Sequence, residues 1–225
     1  MYKGFIKRFA DFLMSLCAIF VLWPFLLVFA IIGAVAMKGN PFFLQKRPGL
    51  NEKVFSLVKF RTMTCEKDKD GNLLPDDKRL TAYGKFLRST SIDELPELFN
   101  ILMGDMSFVG PRPQLVRDMV FMTEKQRKRH SVRPGLSGLA QVNGRNAIAW
   151  ETKLDYDLKY IENITLLGDV KILFKTVEKV FAREDISEEG MATAEDLGDY
   201  LLRTGAVSRE EYEQLMLKAQ KILTT

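Results

Sequence analysis

The sequence FLMSLCAIFVLWPFLLVFAIIGAVAM, from Phe12 to Met37, contains 26 residues without a charge and lies between Asp11 and Lys38. The 225-residue chain as a whole has the composition of a water-soluble domain, since 28% of its residues are charged and its mean hydropathy is −0.06. This charge content, together with 16 phenylalanines, excludes a disordered chain. The contrast favours a membrane-attached protein over a purely cytosolic one.

Three structures compete for this apolar run. A signal peptide has an apolar stretch of about 7–15 residues, so the run is too long for one. A transmembrane helix needs about 20 apolar residues, which the run supplies. Pro24 lies near its middle, where proline removes a backbone hydrogen bond and bends a helix. A helix that enters the membrane, kinks at Pro24 and returns to the same face is the third structure.

Basic residues flank the run on both sides. They are Lys3, Lys7 and Arg8 before it, and Lys38, Lys46, Arg47 and Lys53 after it. Because positive residues mark the cytoplasmic side of a membrane segment, both ends are predicted to be cytoplasmic. We therefore predict a re-entrant anchor over residues 1–38, at the cytoplasmic face of the inner membrane, with a kinked spanning helix as the alternative.

Charge is distributed unevenly along the chain. Residues 1–183 carry 29 basic and 19 acidic groups, whereas residues 184–225 carry 4 basic and 10 acidic groups. A basic body beside an apolar anchor indicates anionic lipid headgroups or phosphate-bearing substrates, and no nucleic-acid partner is predicted. Cys17 and Cys65 lie in dissimilar surroundings, so no disulfide is expected and a reducing cytoplasm fits better than export.

The rest of the chain predicts an α+β fold that is mostly helical, with a small β element. Residues 54–58 have the pattern of a short buried strand, and helical patterns cover about 92–103, 114–130, 152–162 and 168–183. The predicted units are a domain over 39–185 and an acidic helical extension over 186–225. In the extension, Thr193 can cap a first helix that ends at Gly205, and Ser208 with Glu211 can cap a second.

Most templates for catalytic sites are missing from the sequence. His130 is the single histidine, so neither a zinc site nor a Ser/His/Asp triad can be built from it. The glycine-rich fingerprints of P-loop and dinucleotide-binding proteins are also missing. The chemistry that remains is that of carboxylates and arginines.

The candidate acid pair is Asp93-Glu94, in the segment STSIDELPEL over residues 89–98. The segment is also typical of a helix start, with Ser91 and Glu94 as a capping box or with Asp93 as the cap, and Pro96 favours the later start. Either way, backbone N–H groups and the helix dipole stabilise anions there. This position favours an ionised Asp93 that can act as a nucleophile, while Glu94 can hold a hard divalent cation.

Arginine-containing turns surround this pair in sequence. They are KFRTM at 59–63, Arg88, GPRP at 110–113, and RPGLSGLAQVNGR at 133–145. A guanidinium group clamps two phosphate oxygens at once, and the prolines and glycines hold it rigid. With the carboxylates and the anchor, these turns predict phosphoryl transfer at a bilayer surface, with charge neutralised by arginine and Mg²⁺.

The same motifs resemble those of the bacterial sugar transferases called monotopic phosphoglycosyl transferases. The resemblance covers about residues 1–185 and rests on the anchor with Pro24, KFRTM, SIDELPELFN at 91–100, GDMSFVGPRP at 104–113, and the run at 133–145. It is greatest to the small campylobacter-type enzyme of protein N-glycosylation, which acts on UDP-di-N-acetylbacillosamine. The family commonly has serine before its kink proline, where this chain has Trp23.

The resemblance implies a two-step reaction in the domain over 39–185. Asp93 would attack the β-phosphate of a UDP-sugar and expel UMP, and undecaprenyl phosphate would then take the sugar phosphate from the carboxylate. Glu94 would bind Mg²⁺ at the diphosphate. The candidates for phosphate and nucleotide contacts are Lys59, Arg88, Arg112 and Arg145.

The sequence leaves two alternatives open. The same reaction could use UDP-galactose, UDP-glucose or UDP-N-acetylglucosamine to begin a capsule or an O-antigen. The chain could instead be a membrane adaptor without enzymatic activity, whose basic face holds anionic lipid. The extension over 186–225 lies outside the resemblance and is a candidate for contact with a protein partner or a second copy of the chain.

Overall fold

The structure is a computed structural model that describes residues 2–144, 148–182 and 195–224. Its described part is mostly helical, with two small sheets and an apolar N-terminal helix, in agreement with the predicted fold class. The helices are α1 (Lys7–Ala36), α2 (Asp76–Arg79), α3 (Ala82–Ser89), α4 (Glu97–Met103), α5 (Val116–Met119), α6 (Glu124–Arg127), α7 (Leu139–Val142), α8 (Trp150–Glu162), α9 (Leu166–Ala182), α10 (Leu197–Arg203) and α11 (Arg209–Thr224). The strands are β1 (Phe42–Pro48), β2 (Val54–Phe60), β3 (Ser107–Val109) and β4 (Gly135–Ser137).

The strands form two separate pairs. β1 and β2 are an antiparallel hairpin in which Phe42 lies opposite Phe60, and β2 confirms the strand predicted at 54–58. β3 and β4 pair in parallel, far apart in sequence. A Cβ atom on Gly135 would lie 2.0 Å from the backbone nitrogen of Gly110, so only glycine permits this close approach. The contact places the 110–113 turn directly beside the start of β4.

Helix α1 runs through Pro24 and is 30 residues long, which corresponds to about 45 Å. One face packs on the rest of the protein, where Leu22 contacts the core around Leu57 and Leu26 is buried with Phe60. The remaining surface of the helix is largely exposed and apolar. Among the described residues, the segment that includes α1 is the one helix long and apolar enough to cross a membrane.

The predicted helices are confirmed in part. Those at 152–162 and 168–183 correspond to α8 and α9. The prediction of one helix over 114–130 is wrong, because the segment divides into α5, α6 and a 3-10 turn at Lys128–Ser131. The division has a local cause: Thr123 Oγ1 accepts a hydrogen bond from the backbone N–H of Gln126 and starts a new helix.

The described part of the C-terminal extension, residues 195–224, contains two helices, as the sequence predicts. Thr193 lies outside the described residues, and Asp196 is the residue that precedes α10. Gly205 has a φ of +73°, which suits the glycine that ends this helix. Ser208 Oγ accepts a hydrogen bond from the N–H of Glu211 at the start of α11, which confirms the predicted cap.

One buried carboxylate joins the extension to the main body. Asp118 in α5 accepts a hydrogen bond from the N–H of Leu115 at 2.9 Å and another from the N–H of Leu197 at 3.0 Å. It thereby fixes the first turn of α5 and the first turn of α10 at the same point. Leu197 also packs against Trp150 and Leu154.

We expect Asp118→Ala to lower the melting temperature, because it leaves the buried N–H of Leu197 and the partly buried N–H of Leu115 without an acceptor, at about 1–3 kcal/mol for a buried group. For a chain of this size each kcal/mol corresponds to about 2–4 °C, so the full-length protein in detergent should melt several degrees lower. Asp199→Ala is the control, because Asp199 accepts an exposed hydrogen bond from Tyr212. Equal melting temperatures for the two variants would contradict a joining role for Asp118.

Candidate active site

The two predicted catalytic carboxylates lie on a 3-10 turn, Ile92–Glu94, between α3 and α4. Ser91 enters this turn in the left-handed conformation, with a φ of 55°. Helix α4 begins at Glu97, directly after Pro96, which is later than either predicted start, so the prediction of Asp93 as the cap is wrong. Neither Ser91 nor Pro96 makes a side-chain cap, and the predicted capping box is therefore wrong. Asp93 and Glu94 therefore lie in the 3-10 turn, before the first residue of α4.

Glu94 is held by two cations. The Nζ atom of Lys59 and the Nη2 atom of Arg112 each lie 2.8 Å from the same oxygen of Glu94, Oε1. Lys59 stands near the end of β2, and Arg112 stands in the 110–113 turn. These two charges hold the pKa of Glu94 well below its usual range despite its burial. Glu94 is therefore ionised throughout the neutral range.

Asp93 lies in a different electrostatic environment. Desolvation by burial and the neighbouring Glu94 raise the pKa of Asp93 to about 6, while Lys59, Arg88 and Arg112 act in the opposite direction. The carboxylate is thus more basic than one in water, and still mostly charged at neutral pH. Lys59, Arg88 and Arg112 are the groups that favour its ionised form. A half-buried, basic carboxylate beside fixed cations suits nucleophilic attack on a phosphorus centre.

Of the other two predicted phosphate contacts, Arg88 lies beside the acid pair. Arg88 is on α3, where its Nε donates a hydrogen bond to Thr62 Oγ1 at 3.1 Å and its charge reaches Asp93. Lys59, Arg88 and Arg112 are therefore brought together around the acid pair. Arg145 lies outside the described residues.

Glu97 is a further site residue, one that the sequence prediction does not include, and it lies in the same motif three residues after Glu94. Its side chain is only 4% exposed, and Lys59 Nζ lies 3.1 Å from its Oε1. Desolvation raises the pKa of Glu97 to about 7, since Lys59 offsets only part of this cost. Lys59 therefore bridges two carboxylates. The helical spacing from Glu94 to Glu97 was the signal that could have found it.

We expect Glu97→Gln to raise the melting temperature at pH 8, because glutamine keeps an oxygen for Lys59 and removes a buried charge. Glu97 titrates at about 7 when folded and near its ordinary value of 4.5 when unfolded. The charge therefore costs stability above pH 7, and this cost disappears as the pH falls towards 4.5. Melting curves at pH 8, 6 and 4.5 measure the effect. A gain that is equal at every pH, or a loss at pH 8, would contradict this assignment.

The position of Arg112 depends on a second group of hydrogen bonds behind it. Arg129 Nη2 donates to the backbone oxygen of Arg112 at 2.6 Å, and Arg129 is itself paired with Asp157 in the core. Arg47 Nη1 donates to the backbone oxygen of Pro113 at 3.1 Å. Both arginines donate hydrogen bonds to backbone oxygens of the turn, and the Arg112 side chain remains free to contact Glu94. The turn is therefore preorganised.

The residues fit a single-carboxylate Mg²⁺ site. Both cations contact Oε1 of Glu94, and the described structure gives its Oε2 no hydrogen-bond partner. Mg²⁺ is usually bound by one or two carboxylates together with substrate phosphates, so three protein ligands are not required. The described residues contain no cluster of three or more His, Cys, Asp or Glu that could hold a metal unaided.

The sequence matches the bacterial sugar transferase family over residues 2–183. It is 54% identical over 166 residues to the "Uncharacterized sugar transferase EpsL" of Bacillus subtilis, covering 73% of this chain and 82% of that protein. It is 40% identical over 185 residues to the UDP-glucose:undecaprenyl-phosphate glucose-1-phosphate transferase of Klebsiella pneumoniae, covering 78% of this chain and 40% of that protein.

A third relative differs in the sugar it transfers. The chain is 40% identical over 188 residues to the UDP-N-acetylgalactosamine-undecaprenyl-phosphate N-acetylgalactosaminephosphotransferase of Aeromonas hydrophila, covering 79% of this chain and 44% of that protein. The chain thus spans less than half the length of these two named transferases. The residues matched by the family, 2–183, include the acid pair, Lys59 and Arg112. On the family match over residues 2–183, the chain belongs to the bacterial sugar transferase family.

Proposed function

We propose that this protein transfers a sugar 1-phosphate from a UDP-sugar to undecaprenyl phosphate and releases UMP. The observation that carries the proposal is the half-buried Asp93 beside Glu94, whose carboxylate is clamped by Lys59 and Arg112. Relatives whose names state an activity act on UDP-sugars and undecaprenyl phosphate. The reaction would be the first membrane step in the assembly of a glycoconjugate.

The chemistry assigned to Asp93 takes two steps. A carboxylate oxygen of Asp93 attacks the β-phosphorus of the UDP-sugar, and the bond to the α-phosphate oxygen breaks, so that UMP leaves with the electron pair. A phosphate oxygen of undecaprenyl phosphate then attacks the same phosphorus and displaces Asp93 as a carboxylate. Each step moves a phosphosugar without oxidation or reduction.

The cations around Asp93 stabilise the negative charge that develops during this reaction. Arg112 and Arg88 present guanidinium groups that neutralise the charge developing on the phosphoryl oxygens. Lys59 adds a point charge held between Glu94 and Glu97. Glu94 is the residue that would hold Mg²⁺, which supplies further neutralisation of the diphosphate when bound.

The contacts of α1 support an anchor that does not cross the membrane. Near its start, Lys7 pairs with Asp169 at 2.5 Å, and near its end, the Phe29 carbonyl accepts a hydrogen bond from Tyr83 at 2.7 Å. These contacts are 22 residues apart, or about 33 Å along the helix axis. A perpendicular crossing would put one of them on the far side of a hydrocarbon layer about 30 Å thick. A helix that enters the membrane from one side and does not cross it can keep both of these contacts with the rest of the protein.

Helix α9 supports the same placement. It exposes an apolar stripe in which Leu167 is 81% and Phe174 is 73% exposed. The opposite face is buried in the domain through Ile172. A helix with one buried and one exposed apolar face is typical of a membrane interface. The proposed location is therefore the cytoplasmic face of the inner membrane, with α1 embedded and α9 lying on the surface.

Accessibility of single cysteines tests this topology. In a background with Cys17 and Cys65 replaced by serine, Lys3→Cys and Lys53→Cys are each expected to resist an impermeant maleimide outside intact cells, because both positions are cytoplasmic. Both should react once the cells are permeabilised. Labelling of only position 3 in intact cells would establish a spanning helix instead.

A donor panel tests the reaction itself. The full-length chain in detergent, with Mg²⁺ and undecaprenyl phosphate, should release UMP from at least one UDP-sugar. The panel includes UDP-di-N-acetylbacillosamine, the donor that the resemblance implies, and UDP-glucose, UDP-galactose, UDP-N-acetylglucosamine and UDP-N-acetylgalactosamine. A non-enzymatic adaptor would release UMP from none of them. With donor alone, a phosphosugar adduct on Asp93 is expected by mass spectrometry.

A further inference from the structure

Helix α5 connects the 110–113 turn of the candidate active site to the C-terminal extension. It begins at Val116, shortly after the turn, and has only four residues, too few for a stable helix without tertiary contacts. Its side chains Val116 and Met119 are buried. The residues of α11 that pack in the same cluster are Leu215, Ala219 and Ile222. The extension therefore completes the core around α5, although it lies beyond the residues 2–183 matched by the family.

Polar contacts join α5 to the start of α10. Asp118 accepts a hydrogen bond from the N–H of Leu115 through Oδ2 and one from the N–H of Leu197 through Oδ1. Its neighbour Arg117 pairs with Asp196, the residue before α10. Because one carboxylate holds the first turn of both helices, movement of the extension would disturb the start of α5.

Three hydrogen bonds hold the backbone from Arg112 to Leu115. Arg129 Nη2 donates to the backbone oxygen of Arg112 at 2.6 Å. Arg47 Nη1 donates to the backbone oxygen of Pro113 at 3.1 Å. The third hydrogen bond runs from the N–H of Leu115 to a side chain of α5. Each residue of this short segment has only two soft dihedral angles, so a displacement at Leu115 changes the backbone that carries the Arg112 side chain.

Arg47 itself depends on Asp118. Desolvation lowers the pKa of Arg47 to about 10, and the charges of Arg112 and Arg117 act in the same direction. Asp118 is the carboxylate whose charge most favours the cationic form of Arg47, followed by Glu97. Water that reached Asp118 after loss of the extension would screen this attraction and weaken the support that Arg47 gives to the turn.

We propose that the C-terminal extension positions Arg112 for the diphosphate of the donor, because docking of α10 and α11 on α5 fixes one end of the segment from Arg112 to Leu115. Asp118 is the positioning residue at this joint. The inference rests on the proposed function, and it goes further by giving the extension a role in the reaction.

Ala219→Glu in the full-length protein in detergent tests this role. Ala219 is 2% exposed and packs in the cluster around α5, so a longer, charged side chain there should detach α11. Trypsin should then cleave the extension faster, and amide hydrogen exchange over 110–120 should accelerate. The kcat/KM for the UDP-sugar should fall about 2- to 30-fold, the range of coupling carried by packed side chains and hydrogen bonds.

Gln220→Glu is the matched control, because it places the same charge at the next position of α11, which is exposed. Its cleavage, hydrogen exchange and turnover should equal those of the wild type. Ile222→Glu is a second variant at the same cluster, nearer the end of the helix, and gives the same comparison where Ala219→Glu does not fold. Equal losses of kcat/KM in Gln220→Glu and Ala219→Glu would refute the inference.

A double variant shows whether the effect passes through Arg112. In an Arg112→Gln background, Ala219→Glu should lower kcat/KM little further, because the side chain that it displaces is already missing. A full additional loss would mean that the extension acts elsewhere, which refutes the inference. A wild type that releases no UMP from any donor refutes the proposed function. An extension that trypsin cleaves rapidly in an enzyme of normal kcat/KM refutes the inference alone.

Discussion

Asp93→Asn is expected to lower the rate of UMP release by about 10³-fold or more, because an amide cannot form the acyl phosphate that the proposed mechanism requires. The loss should appear in kcat, since asparagine keeps the shape of the side chain. The phosphosugar adduct should also disappear. The measurement is UMP release by the full-length chain in the presence of Mg²⁺ and undecaprenyl phosphate.

Stability provides the control for Asp93→Asn. Burial raises the pKa of Asp93, which means that its charge costs folding free energy at neutral pH. A neutral asparagine should therefore leave the melting temperature unchanged or raise it. Asp77→Asn, at an exposed carboxylate on α2, should retain full activity. Activity of Asp93→Asn equal to that of the wild type would refute the covalent mechanism.

Arg129→Met is expected to cause the largest loss of stability. The guanidinium of Arg129 is 1% exposed and its partner Asp157 is 3% exposed, with Nη2 and Oδ2 at 2.6 Å. Removing the arginine leaves Asp157 buried without a cation, which costs about 3–5 kcal/mol. For a chain of this size the melting temperature should fall by roughly 10 °C. Thermal unfolding of the full-length protein in detergent measures the change.

A double variant separates the buried charge from lost packing. Arg129→Met/Asp157→Leu removes both charges and should recover most of the stability, because an apolar pair avoids the desolvation cost. Activity should not recover fully, since the backbone oxygen of Arg112 also loses its donor, Arg129 Nη2. A single variant that melts within 2 °C of the wild type, or a double variant as unstable as the single one, would contradict this role.

Much of the fold could be predicted from sequence because its signals are local. The charge-free run from Phe12 to Met37, the strand at 54–58 and the caps at Gly205 and Ser208 depend on neighbouring residues alone. The segment 114–130 could not be predicted as well, because residues 124–130, EKQRKRH, contain no apolar side chain whose spacing could indicate a new helix after Thr123. A side-chain hydrogen bond causes that division, and the spacing of apolar residues gives no sign of it.

The sequence by itself determined the apolar anchor and the acid pair Asp93-Glu94, since both are contiguous and their chemistry depends on composition and spacing. Only the tertiary structure decided which cations meet that pair. Lys59 and Arg112 are separated by more than 50 residues, and they converge on one oxygen of Glu94 because β2 and the 110–113 turn pack beside the 3-10 turn. The environment of Glu97 was likewise decided by burial. Desolvation, which raises the pKa of Glu97, is a property of the packed interior and of no single segment of the chain.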